Sequence, residues 1–368
     1  MMCRGVAGVF CITFLLVITV LSHAEPNELQ LTFVGDIMAH DVNYRMQNFS
    51  LIYERVKEYF TNDDLTFGNL EFPVVDDLPF STYPAFNVHR SYVEAALAAS
   101  FEVFSIANNH SLDKGKTGVL KTLGSLLMLK EGAGGRMYYS GIRGDTSRSF
   151  TPTVIRENGF RIGFLAVTQF LNLPQPSPYI YVVDYTNPAI RARFLEEIRS
   201  LTPRFDLFIL SFHGDAEYQL SPHPEKRAFF RELLEAGVGI IWGHHPHVFQ
   251  PYEIVTVDGT QRLIMYSMGN FVSGQGYHGK PGDAGDRWAY TGDSVLLRVR
   301  VTKTPHGVNV VSAEPVLIAL YTTPTRDIVV DRLDRLAAAP IDPSWREYYR
   351  KRLGIMTHFL ENMDTYLQ

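Results

Sequence analysis

The sequence predicts an α/β fold, on three observations. Short apolar, β-branched runs at 29–34, 65–67, 101–107, 161–168, 206–212 and 238–242 alternate with segments at helical spacing, among them 118–130, 188–199 and 224–236. The composition is that of a globular chain: 46% hydrophobic and 20% charged over 368 residues, enough for one large α/β domain. The apolar runs also end in polar, ion-binding residue types, at the sheet edge where α/β proteins carry their sites. Without an internal repeat or a clear linker, one domain is favoured.

Taken in order, residues 29–34 read as a strand stopping at Gly35-Asp36. Residues 49–60 read as a helix with Ser50 as N-cap. A short strand at 65–67 ends in Gly68-Asn69-Leu70-Glu71, 73–84 is a loop, and 91–99 is a short helix. The strand at 101–107 ends in Asn108-Asn109-His110, and the helix at 118–130 follows. Strands at 153–156 and 161–168 flank Asn158-Gly159, a dipeptide that favours a tight hairpin turn. A proline-rich loop covers 174–178, and the helix at 188–199 has Pro at its tolerated first turn. The strand at 206–212 ends in His213-Gly214-Asp215, and after the helix at 224–236 the run 238–242 ends in Gly243-His244-His245-Pro246-His247. A hairpin around Asp258-Gly259, a Gly-rich loop at 273–293, and alternating strands at 295–301 and 308–318 come next. From 327 the chain reads as helical.

Residues 1–24 read as a secretory signal: Arg4, an apolar run at 6–21, then Ser22-His23-Ala24 as a small-x-small cleavage site. The protein is therefore expected to be exported, periplasmic or otherwise extracytoplasmic, with membrane association as the alternative if this segment stays as an anchor. Both cysteines, Cys3 and Cys11, lie within it, so the remaining chain has no disulfide and no thiolate site. The net charge is −5, and the signal carries one Arg and no acid, so its removal makes the chain more negative. Nucleic acid, which needs a basic patch, is excluded as a partner. The expected division is a main domain at 25–325 and a helical tail at 326–368 packed on it.

Five strand ends offer Asp36, then Asn69 and Glu71, Asn109-His110, His213, and His244 to His247. A mixture of carboxylates, an amide and imidazoles suits divalent manganese, iron or zinc. Two imidazoles at i, i+2 on a rigid loop can converge on one centre, and Pro246 fixes φ between His245 and His247. Two ions about 3.5–4 Å apart, bridged by a carboxylate, suit phosphate-ester hydrolysis, leaving the protein to supply a general acid.

The order of motifs is itself distinctive. Phe33-Val34-Gly35-Asp36-Ile37-Met38, Gly68-Asn69-Leu70-Glu71, Ala107-Asn108-Asn109-His110 with Asp113, and Phe212-His213-Gly214-Asp215-Ala216-Glu217-Tyr218 come in sequence. Gly243-His244-His245-Pro246-His247 and Tyr266-Ser267-Met268-Gly269-Asn270-Phe271 complete the set. Over roughly 29–275 the chain resembles the CapA (poly-γ-glutamate capsule synthesis) family. The resemblance implies a metallophosphoesterase-like αββα sandwich, two packed mixed β-sheets flanked by helices. It implies one or two divalent ions (Mn, Fe or Zn) held by Asp36, Glu71, Asn109, His213, His245 and His247, with His110 as the catalytic acid. His244 is a competing alignment for the last pair. Asn69, His40 and Asn270 could bind an ion or hold one of its ligands. Met38 stands where the pattern has the His of an Asp-x-His motif, and whether His40 compensates is open.

Two readings of function follow. One is a metal-dependent, phosphoesterase-type hydrolase acting on an anionic small-molecule or polymer substrate of the cell envelope. The other is a non-catalytic accessory or binding component of capsule-type polymer synthesis or export. Two look-alikes are set aside. Residues 274–281 match glycine-rich phosphate loops but lead into Pro281-Gly282 rather than a helix. Ser211, His213 and Asp215 alternate along a strand and so cannot relay as a triad.

Overall fold

The computed structural model describes residues 27–173, 177–277 and 279–368. The signal expected at 1–24, and Pro174, Gln175 and Pro176 of the proline-rich loop, lie outside the described residues. In chain order the elements are β1 (Glu28–Ile37), α1 (Asp41–Tyr44), β2 (Leu65–Leu70), α2 (Arg90–Ala98), β3 (Val103–Ser105), α3 (Gly115–Gly132) and β4 (Tyr138–Ser140). Next come β5 (Thr153–Glu157), β6 (Phe160–Thr168), α4 (Pro188–Leu201), β7 (Leu207–His213), α5 (Pro224–Glu235), β8 (Ile240–His244), β9 (Tyr252–Val257) and β10 (Thr260–Met265). The last are β11 (Asn270–Val272), β12 (Asp293–Thr304), β13 (Gly307–Thr322), β14 (Ile328–Arg332), α6 (Leu333–Ala338) and α7 (Pro343–Glu361).

The strands form two mixed sheets. The first runs β14-β13-β12-β1-β2-β3-β4, with β11 also paired to β1; the second runs β5-β6-β7-β8-β10-β9. The period-2 alternation of β1 decides which layer each side chain enters. Leu29, Leu31 and Phe33 join the core between the sheets, while Val34 and Ile37 join the core beneath the helices of the first sheet. In the inter-sheet core Phe33 stacks on Phe67 at 4.4 Å and meets Trp242 at 5.7 Å. Trp242 also donates its indole N–H to the Val34 carbonyl (2.9 Å), a hydrogen bond from one sheet to the other. Tyr92, Val119 and Leu126 pack on the outside of the first sheet; Phe194, Ile198, Phe229 and Leu233 pack on the outside of the second. The architecture is the αββα sandwich that the resemblance implies.

Strand pairing places the site. β12 is the neighbour of β1 as far as Phe33, and β11 then takes over, setting Asn270 opposite Asp36. On the other side Asn69 of β2 is in register with Asp36. In the second sheet His213 pairs with His244 at the ends of β7 and β8.

Several elements differ from expectation. Residues 49–60 form two 3-10 turns, Phe49–Ile52 and Lys57–Tyr59, not a helix, and the cap is Asn48, whose side chain accepts from the Ser50 N–H. Ile52, Tyr53, Val56 and Phe60 are all buried there, so packing of bulky side chains outweighs helix propensity. The chain from 327 does not start helical: Ile328-Val329-Val330 is β-branched and adds β14 to the edge of the first sheet before α6 begins. The 238–242 strand continues through His244, and the 273–293 loop contains 3-10 turns at Pro281–Asp283 and Arg287–Thr291. β4 and β11, three residues each, are too short to show a period.

The C-terminal helices belong to the main core. Leu333, Leu336, Tyr349, Met356 and Phe359 are buried in the same cluster as Phe33 and Trp242. Arg352 of α7 is buried and holds Asp293, the first residue of β12, with two hydrogen bonds of 2.5 and 2.9 Å. Among the described residues no helix is long and apolar enough to cross a membrane.

Candidate metal centre

Each chemistry-bearing side chain stands at or just past the C-terminal end of a strand. Asp36 closes β1, Glu71 follows β2, Asn109 and His110 follow β3, and His213 and His244 end β7 and β8. His245 and His247 lie just beyond, both at positive φ (+95° and +57°). Non-glycine residues adopt that conformation at a cost, and it persists where surrounding structure imposes it. Gly243 explains part of that constraint: an added Cβ would come within 2.1 Å of the Tyr266 carbonyl oxygen, so only glycine lets β8 approach this closely.

Three overlapping sets of ligand atoms result. Glu71, His213 and His245 form one, Asp36, Glu71 and His247 a second, and Glu217, His245 and His247 a third, each with its atoms within 4.8 Å of one another. Asn109 joins the first set, its Oδ1 lying 2.8 Å from His213 Nε2. His245 Nδ1 lies 3.2 Å from that same His213 nitrogen. Glu71 is common to the first two sets, with Oε1 3.7 Å from His213 Nε2 and 3.8 Å from His247 Nε2.

The electrostatics ask for a cation. Asp36 and Glu71 are fully buried, yet both oxygens of Glu71 and one of Asp36 lack a hydrogen-bond partner. Buried polar groups are normally satisfied, and a buried carboxylate without a counter-charge is costly. Burial would raise the Asp36 carboxyl, but the His244 and His247 imidazoles beside it hold it well below its usual range. Glu71 is pushed well above the carboxylate range, first by burial and then by the charge on Asp36. Burial pushes His213 and His245 far down, keeping them as the neutral imidazoles that ions bind. These residues fit one or two divalent ions: Glu71, Asn109, His213 and His245 about one position, Asp36, Glu71 and His247 about another.

The remaining candidates take other places. Asn69 donates to Asp36 Oδ1 (2.8 Å) and lies 3.3 Å from His213 Nδ1, so it orients both. His244 belongs to none of the three sets; it sits against Trp242, its Nδ1 3.2 Å from Asp36 Oδ1. His245 and His247 are therefore the pair that converges. Asn270 Oδ1 lies 3.1 Å from His247 Nδ1 and fixes that ring. Met38 is buried in the apolar cluster beneath the outer helices. His40 does not take its place: its Nδ1 accepts from the Gly274 N–H (3.0 Å), and burial pushes it down to about 4. His110 lies beside the cluster with Nδ1 2.7 Å from Asp113 Oδ2 and its ring edge on Phe86.

Sequence reasoning missed Glu217 and Asn172 as members of the site. Glu217 lies on the loop after β7 and is exposed, so its place behind a strand-end histidine was the available signal. Asn172, whose Oδ1 accepts from Asn109 Nδ2 (3.1 Å) and whose Nδ2 lies 3.3 Å from His110 Nδ1, carried no local signal. Ser211 hydrogen-bonds Ser105 (2.8 Å), apart from any relay through His213.

The family model described as "Bacterial capsule synthesis protein PGA_cap" matches residues 30–275, a stretch containing every residue of the cluster. The chain belongs to this capsule synthesis family. Among relatives of this PGA_cap protein, the capsule biosynthesis protein CapA of Bacillus anthracis is 29% identical, over 76% of this chain and 65% of its own length. The PGA biosynthesis protein CapA of Bacillus subtilis (strain 168) is 28% identical, over 76% of this chain and 69% of its own. The match to the first relative thus spans just under two thirds of that protein. Among solved structures, the calcineurin-like phosphoesterase YfkN of Bacillus subtilis aligns with a TM-score of 0.42 and 12% identity, over 92% of this chain and 99% of that one.

Proposed function

We propose that this PGA_cap protein is a divalent-metal-dependent hydrolase of the phosphoesterase type. In this reading it works outside the cytoplasm on an anionic substrate connected with capsule-type polymer synthesis. The observation that carries it is Glu71: a fully buried carboxylate, unpartnered at both oxygens and shared by two ligand sets. With Asp36, Asn109, His213, His245 and His247 it would hold one or two divalent ions. Ions held there would supply charge neutralisation and a nucleophile drawn from water.

The chain's own groups do the rest. Asn69 keeps Asp36 aimed at the cluster, with His244 Nδ1 3.2 Å from the same Oδ1, and Asn270 keeps His247 aimed there. Asp113 fixes the His110 ring through Nδ1, which leaves Nε2 as the nitrogen that delivers a proton to the leaving oxygen. Metal analysis of the purified protein, run beside turnover of p-nitrophenyl phosphate, tests the reading. Two ions per chain and metal-dependent turnover are expected; a protein that binds no ion defeats it.

One observation favours a second reading. Met38, in the apolar cluster, leaves the Asp36 set without the imidazole that an Asp-x-His motif would give it. A protein holding a single ion and showing no turnover would be a binding component of polymer assembly.

A further inference from the structure

Beside the metal cluster lies a second concave feature. A cavity of about 620 Å³ opens between the 273–293 loop, the end of β13, Arg326 and α7. Its size is that of pockets taking drug-sized organic ligands, about 300–1,000 Å³. Aromatic rings form much of the wall: Tyr277, Trp288, Tyr321, Trp345, Tyr348 and Tyr349. Between them stand neutral polar groups from Ser273, Gln275 and Thr322. Of the described charged groups, Asp293 is paired with Arg352, which leaves Asp283 and Asp286 against Arg326, with the Arg287 guanidinium over the Trp288 ring at 4.8 Å. That balance offers no excess of positive charge for a polyanion such as a glutamate chain.

A sugar ring matches the wall. It has an apolar C–H face that aromatic faces bury and a rim of hydroxyls that hydroxyls, amides and carboxylates can satisfy. The cavity also shares a wall with the metal cluster. Gln275 accepts from Asn270 Nδ2 (2.9 Å), and Asn270 in turn holds His247 (3.1 Å). Trp288 packs on Tyr218 at 4.9 Å, and Tyr218 lies 6.1 Å from His247. Of the cavity's described lining residues only Ser273 and Gln275 fall within the stretch that matches the family; the others come from the chain beyond it.

We propose that this cavity is a carbohydrate subsite, in which a neutral sugar chain lies on Trp288, Trp345 and Tyr348 while an anionic group of the same molecule reaches the metal cluster past Gln275. The delivery of that group rests on the hydrolase reading; occupation of the cavity does not.

Fluorescence reads the occupation directly. Of the chain's three tryptophans, Trp288 and Trp345 line the cavity and Trp242 is buried between the sheets. The protein is titrated with maltotriose, cellotriose and the trisaccharide of N-acetylglucosamine, with a γ-linked glutamate oligomer as the anionic comparison. A saturable change with at least one trisaccharide is expected. It should weaken about tenfold or more in Trp345→Ala, as for an aromatic anchor. Trp288 is 45% exposed, so Trp288→Leu should weaken binding without disturbing the fold. Binding should persist after chelation of metal, which separates this subsite from the hydrolase reading. No response to any trisaccharide, a response unchanged in both variants, or a stronger response to the glutamate oligomer overturns the proposal.

Discussion

His213 Nε2 and Glu71 Oε1 face each other at 3.7 Å in a fully buried setting, too far apart for a hydrogen bond and close enough to share a cation. The two residues come from different sheets, so the αββα packing itself creates the spacing. An ion held there would convert an electrostatic liability into a link between the layers.

Glu71→Gln keeps the shape and removes the charge. Wild-type protein should gain thermal stability on adding Mn²⁺, by about 2.7 kcal/mol at a concentration a hundredfold above Kd. The variant should gain little. Melting curves with and without Mn²⁺ decide it, and an equal rise in both proteins rules out Glu71 as a ligand.

Metal binding should release a proton. Burial and the Asp36 charge hold Glu71 protonated where an exposed Glu is ionised, and an ion must displace that proton. Apparent affinity should therefore rise with pH from the ordinary Glu range up to the raised Glu71 value, then level off. Burial also favours the neutral rings of His213 and His245, so Glu71 is the group whose proton the ion displaces. Calorimetric titration in two buffers of different ionisation enthalpy measures the proton; uptake on binding contradicts the assignment.

His110→Ala should leave metal content unchanged and lower kcat about 10²–10⁴-fold, the usual worth of a positioned general acid. Asp113→Asn, which weakens the 2.7 Å contact to His110 Nδ1, should lower kcat with little change in KM. Full activity in His110→Ala removes it from the chemistry.

The Arg352–Asp293 pair is buried, so breaking one half leaves a lone charge inside the protein. Arg352→Met should cost about 3–5 kcal/mol of stability in urea titration. Pairing it with Asp293→Leu should recover most of that loss. Failure of the double variant to recover would mean that the arginine acts through its contacts to Ala284 and Tyr290 instead.

What the sequence determined by itself was local. Alternating apolar runs placed most strands, and the polar residues closing them named Asp36, Asn109, His213, His245 and His247 as candidates, because a strand's end and its side-chain period are set by neighbours in the chain. The tertiary structure decided what those residues face. His40 stands two positions from Met38 yet accepts a hydrogen bond from Gly274, 234 residues away. Glu217 and Asn172 reach the cluster, and β11 sets Asn270 beside Asp36, only through pairing and packing between distant segments. The aromatic cavity joins the 273–293 loop, β13 and α7. Contacts over such separations leave no period in the sequence; they follow from how two sheets, each seeking cover for its apolar face, stack with their strand ends on one side.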